Sequence, residues 1–165
     1  MASKCQNANN WGADLYVCIH TNAYNGTVSG TRMFCYNTSG KGMEACKAIY
    51  NILAPFTPGT SENIKVNAEL YEVRVPAAPT AYIEVDFHDV PSVAKWIVEH
   101  TTEIGEKIAE GICNYFGVAY KAKVIETPVE SDKLYRVQVG AYRVKANAEA
   151  MLAKLKAAGF DGCIK

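Results

Sequence analysis

Leu15-Tyr16-Val17-Cys18-Ile19-His20-Thr21-Asn22-Ala23 reads as a strand, apolar for most of its length, that delivers one imidazole at its end. A nearly all-apolar strand suits a sheet covered on both faces. A second largely apolar run, Ala81 to Phe87, carries the carboxylate Glu84 at its centre. A charge inside a buried strand is costly unless it is paired, neutralised or bound to a metal. One strand ending in His20 and another holding Glu84 point to half of a metallo-hydrolase site.

The pattern extends outward from these two runs. Gln6 to Trp11 reads as the tail of a helix, ended by Gly12 as a left-handed cap. Asn25-Gly26 and Ser29-Gly30 are turn signals, and Thr31 to Tyr36 is a strand candidate. Apolar residues at 43, 46, 49, 50 and 53 predict a helix, stopped by Pro55 and Pro58-Gly59. Glu69 to Val75 alternates and reads as a strand; Pro76 and Pro79 mark a loop. Pro91 stands at a helix start. A single long helix is expected from Val93 to Phe116, with a stripe at 93, 97, 100, 104, 108, 112 and 116. His100 is expected on its surface, and Gly117 terminates it.

Val118 to Asp132 shows neither period and reads as a linker. Lys133 to Lys165 then reads as a β-α-β unit: a strand at Leu134–Tyr142, a helix at Ala146–Ala158 ended by Gly159, and a last strand from Gly162. The expected class is α/β, a mixed sheet flanked by helices, with this small C-terminal β-α-β unit appended.

Composition narrows the partners. The chain has 165 residues, 49% of them hydrophobic, which is enough for one core. Lys+Arg and Asp+Glu are 17 each, so the formal net charge is zero. That argues against nucleic-acid binding through a basic surface and against a polybasic membrane anchor. No apolar run approaches the roughly 18 residues of a spanning helix, so no membrane span is expected. The start, Met1 to Asn10, has no apolar core of a signal peptide, so synthesis in the cytoplasm with another route of release, or missing upstream sequence, is expected. The 6 cysteines make no C-x-x-C pair. Cys18, Cys35 and Cys113 lie in apolar contexts and read as small core residues.

A neutral imidazole is a good zinc ligand, and a strand end holds it rigidly. A nearby carboxylate that is not a ligand can take a proton from an attacking water and pass it to a leaving amine. Partial desolvation of Glu84 among Tyr82, Ile83, Val85 and Phe87 should raise its pKa toward that task. Blander readings stand beside these: a lone His at a strand end that is simply hydrogen-bonded, and a Glu that points to solvent. Asp86 and His88 alternate with Glu84, and His88-Asp89 also fits a cap of the following helix.

Cys18-Ile19-His20-Thr21-Asn22-Ala23 resembles the S-x-H-x-N-A motif of the zinc-dependent N-acetylmuramoyl-L-alanine amidases of the amidase_3 family. Tyr82-Ile83-Glu84-Val85-Asp86-Phe87 resembles that family's V-E-x-G-F motif. Order, separation and the long helix that follows agree, over roughly residues 1–117. The resemblance implies a phosphorylase/hydrolase-like amidase fold, a zinc ion, His20 as a zinc ligand and Glu84 as the acid/base. It implies cleavage of the amide between N-acetylmuramic acid and L-alanine of peptidoglycan. Asn22 is expected to shape the strand end or touch substrate. Cys18 stands where the family has Ser, and Asp86 where it has Gly. The family's first zinc His and its Glu ligand are not found, so the chain reads as an N-terminally incomplete amidase domain. Its activity, a non-catalytic wall-binding role and a fragment of a larger amidase are all kept as readings.

Tyr135-Arg136-Val137-Gln138-Val139-Gly140-Ala141-Tyr142 and Ala158-Gly159-Phe160 resemble the first half of a SPOR domain, a peptidoglycan-binding module. Tyr135, Gln138 and Tyr142 are the expected sugar contacts, since aromatic faces and an amide suit glycan rings and N-acetyl groups. A half module buries too little to stand alone, so a homodimer through residues 133–165 is expected.

Overall fold

Among the described residues, β1 (Tyr16–Asn22), β2 (Arg32–Cys35), β3 (Asn63–Val66) and β4 (Thr80–Phe87) form one mixed sheet, ordered β1-β4-β2-β3. The computed structural model describes residues 2–60, 63–122 and 137–164. β1 runs parallel to β4, β4 antiparallel to β2, and β2 parallel to β3. β1 is therefore a marginal strand, paired with β4 alone among the described residues. The sheet belongs to a unit spanning Met1–Lys123; a second unit spans Val124–Lys165.

The first unit carries α1 (Ala2–Trp11), α2 (Lys41–Leu53), α3 (Tyr71–Arg74), α4 (Pro91–Glu99) and α5 (Thr101–Phe116). Helices α2 and α5 pack together, and the core forms between them and the sheet, with Met33, Ile49, Leu53, Ile83, Val85 and Ile108 at its centre. Each such side chain, fully buried, stabilises the fold by about 1.5–3 kcal/mol. The helices approach closely at Gly111, where an added Cβ would lie 2.5 Å from the Ile49 Cα. Gly12 and Gly117 end α1 and α5 with φ of 72° and 67°, as their positions predict.

Three sequence expectations are corrected. The helix expected as one piece from Val93 to Phe116 breaks at His100, whose φ/ψ of −114°/23° are not helical. The apolar stripe continues across the break because both helices use one face. His100 is half-buried rather than a surface residue: its ring stacks on Trp96 at 4.7 Å and its Nδ1 lies 2.9 Å from the Trp96 carbonyl oxygen. Glu69 to Val75 is not a strand. Leu70 accepts the Val73 and Arg74 amides, Tyr71 accepts Val75, and the segment curls into α3. β3 went unseen because Asn63-Ile64-Lys65-Val66 has no apolar run and only Ile64 is half-buried.

Cys18 and Cys35 are buried as expected, Cys5 and Cys46 join them, and Cys113 is half-buried. In the second unit the expected helix is present as α6 (Lys145–Ala157), followed by Gly159 at φ 85°. The first flanking strand was expected at 134–142. Residues 134–136 lie outside the described residues, and no strand forms at 137–142 or at 160–164.

Candidate active site

β4 sorts its side chains by alternation. Ala81, Ile83 and Val85 pack into the helix-covered core. Tyr82 and Glu84 project to the opposite face. His20 and Glu84 are register partners in the β1/β4 ladder. Paired positions on neighbouring strands share a face at roughly 4.8 Å spacing, so the imidazole and the carboxylate stand side by side. The two sequence-predicted groups are thus brought together.

Burial pushes the Glu84 carboxyl above the usual range; His20, a hydrogen bond from Tyr82, His88 and Arg32 pull the other way without cancelling it. One carboxylate oxygen, Glu84 Oε2, is buried with no hydrogen-bond partner among the described residues. Tyr82 is itself held neutral, by burial first and by the Glu84 charge second. Its ring stacks on His20 with centroids 4.6 Å apart and planes 8° from parallel, and Phe34 meets it edge-on at 5.9 Å.

The sequence reading missed Glu72. It projects from α3 onto this face, is 4% exposed, and places Oε2 3.1 Å from His20 Nε2. The Tyr16 hydroxyl donates to its other oxygen at 2.9 Å, and Cys5 Sγ donates to that hydroxyl at 3.8 Å. Misreading Glu69–Val75 as a strand hid it. The available signals were Asn67, whose side chain takes the Glu69 amide and starts a turn, and Pro76, which ends the segment.

Asn22 closes β1: its Oδ1 accepts the Ala23 amide at 2.9 Å and its carbonyl accepts the His88 amide at 2.8 Å, beyond a register shift between His20 and Asn22. Asp86 is fully buried, not a neighbour of Glu84 on an open face; its Oδ1 accepts the Gly30 and Phe87 amides. His88 is exposed. Asp89 caps no helix; its Oδ2 takes the Tyr24 and Gly26 amides at 2.8 Å each, which hold its carboxyl below the usual range. A groove of about 370 Å³ borders His20 on the helix side, lined by Ile19, Thr21, Val85, Ile97 and Ile104. In the second unit, Gln138 donates to the Gly140 carbonyl at 3.4 Å and Tyr142 lies against Gly140; Tyr135 lies outside the described residues.

A parallel pair of strands presenting His20 and Glu84 on one face of a mixed sheet agrees with a sequence match over residues 1–114, and the chain belongs to the N-acetylmuramoyl-L-alanine amidase family. Residues 118–165 match the SPOR domain. Among its relatives is the sporulation-specific N-acetylmuramoyl-L-alanine amidase of Bacillus subtilis (strain 168), 30% identical over 157 residues, which are 95% of this chain and 58% of that protein. The amidase CwlM of Bacillus licheniformis is 29% identical over 157 residues, again 95% and 58%. The chain therefore spans about three-fifths of the length of these two relatives. The catalytic domain of the amidase CwlV from Bacillus (Paenibacillus) polymyxa var. colistinus shares the fold, with a TM-score of 0.66 and 20% identity, covering 72% of this chain and 66% of that one. The catalytic domain of the CD27L endolysin, which targets Clostridia difficile, is 28% identical with a TM-score of 0.60, covering 68% and 61%.

The family is one of zinc enzymes, and the donor set can be tested against that metal. A catalytic zinc takes three protein ligands and keeps a fourth position for water. Among the described residues no group of 3 or more His, Cys, Asp or Glu is placed to hold a metal. His20 has the right chemistry for one ligand, but its Nε2 already faces Glu72. The described residues do not by themselves fit a zinc site.

Proposed function

We propose that this chain acts on peptidoglycan as an N-acetylmuramoyl-L-alanine amidase, cleaving the amide between the lactyl group of N-acetylmuramic acid and L-alanine. The observation that carries the reading is the His20–Glu84 pairing: an imidazole beside a desolvated carboxylate with one unpartnered buried oxygen. Glu84 is the acid/base. It takes a proton from the attacking water, whose oxygen joins the carbonyl carbon. The C–N bond then breaks, and Glu84 returns the proton to the departing amine. A carboxyl pushed up by burial suits both halves of that exchange. His20 is the one residue here that would serve as a zinc ligand, and a zinc held with further ligands would polarise the carbonyl. Asn22 fixes the end of β1 and borders the substrate. Tyr135, Gln138 and Tyr142 contact glycan strands, and residues 133–165 pair two copies of the chain. The place of action is the bacterial cell wall, and no helix among the described residues is long and apolar enough to cross a membrane.

A second reading, a wall-binding protein without catalysis, is favoured by the absence of a three-donor cluster among the described residues. Elemental analysis for zinc, together with release of new amino groups from purified walls, separates the two. About one zinc per chain and release that fails in Glu84→Gln support the amidase. Walls that carry the protein down in a pelleting assay, with neither zinc nor release, support the binder. Light scattering on the chain truncated before residue 133 tests the dimer, which should become a monomer.

A further inference from the structure

We propose that Glu72 is the positioning residue of His20, accepting a hydrogen bond from the ring's Nε2–H and so fixing the direction of the imidazole. The inference rests on the reading of His20 as a working imidazole of the amidase site.

A carboxylate only 4% exposed needs partners for its charge. Glu72 has two, Tyr16 on Oε1 at 2.9 Å and His20 Nε2 on Oε2 at 3.1 Å. An ionised carboxylate can only accept hydrogen bonds. Tyr16 has one hydroxyl hydrogen; its oxygen receives Cys5 Sγ–H at 3.8 Å, which leaves that hydrogen for Glu72. The chain of donors thus runs Cys5 to Tyr16 to Glu72, and His20 must meet Glu72 as a second donor. His20 therefore carries a hydrogen on Nε2 and directs it at Glu72.

Orientation is fixed twice over. The Tyr82 ring, 4.6 Å away and 8° from parallel, sets the plane of the imidazole. Glu72 sets its rotation within that plane. A carboxylate behind a functional imidazole is a recurrent means of fixing tautomer and direction. Here the carboxylate comes from a single helical turn, set by the Val73 and Arg74 amides on the Leu70 carbonyl at 3.0 Å each. Glu72, 4% exposed, meets His20 at Nε2 and acts through it.

The test is proton magnetic resonance on the full chain with isotopically labelled histidine, assigned by the His20→Gln variant. A hydrogen shared between imidazole and carboxylate gives a far-downfield N–H signal that exchanges slowly with water. The wild type should show it on His20 Nε2. Glu72→Gln, whose neutral amide oxygen still accepts, should keep the signal and move it upfield. Glu72→Leu should lose it to solvent exchange, and Tyr16→Phe should retain it. A wild-type signal on Nδ1, no protected signal at all, or a signal indifferent to both Glu72 variants would overturn the proposal. The readout is independent of hydrolysis. If Glu84→Gln releases amino groups like the wild type, the amidase reading falls while the Glu72 result still stands on its own signal.

Discussion

Along β4, Ala81, Ile83 and Val85 turn toward α2 and α5, none of them more than 2% exposed, while Tyr82 and Glu84 turn to the face shared with His20 and Glu72. One strand therefore serves two surfaces with opposed demands. The helix side gains stability from filled volume. The polar side retains groups that cost stability: Glu84 has a buried oxygen with no hydrogen-bond partner among the described residues, and Glu72 is a buried carboxyl group met by Tyr16 and His20. Leaving a buried polar atom unpaired costs about 1–3 kcal/mol. Adjacent residues of β4 should therefore fail in different assays, one in folding and the next in chemistry.

The comparison breaks first at Glu84. Glu84→Gln should cut amino-group release from purified walls by about 10²–10⁴-fold, the usual worth of a general acid/base, while the melting curve by circular dichroism stays cooperative. An active variant would remove the functional distinction between the faces. One residue away, Ile83→Ala should cost about 2–5 kcal/mol in urea unfolding, since it opens a cavity in the fully packed side. Gly111→Ala, also on the helix side, should cost about 1–3 kcal/mol in the same assay. The new Cβ would collide with the Ile49 backbone at 2.5 Å, and neither helix can yield alone.

The smallest effect concerns pH and sharpens the polar side. Burial raises the Glu84 pKa in the folded state above its value in the unfolded chain. The penalty is therefore full above the raised folded value, fades as pH falls from there to the unfolded carboxyl range, and vanishes below it, where the residue is protonated in both states. Glu84→Gln should be slightly more stable than wild type at neutral pH and equal to it in acid, by paired melts across that interval.

How much of this was legible in the sequence follows from the same strand physics. His20 and Glu84 could be found because each sits in a largely apolar run, where a charged or ionisable side chain stands out. Their register could not, since nothing in either run says which residue faces which; that is decided by the ladder they form. Glu72 was hidden for the opposite reason. Glu69-Leu70-Tyr71-Glu72-Val73-Arg74-Val75 alternates as a strand would, and a period of two over so few residues does not exclude one helical turn. Its burial comes from contacts with Tyr16 and His20, far away in sequence. The break at His100 was masked because α4 and α5 keep one stripe in phase across it.

The pairing of β1 with β4 has a kinetic consequence. α2, α4 and α5 close their own backbone hydrogen bonds four residues apart, whereas the ladder joining His20 to Glu84 spans β2, α2, β3 and α3. Long-range parallel pairing bears the greater loop-closure entropy and forms slowly. During refolding, helical signal should thus return before the imidazole and the carboxylate become neighbours, and their pairing is among the last things this chain assembles.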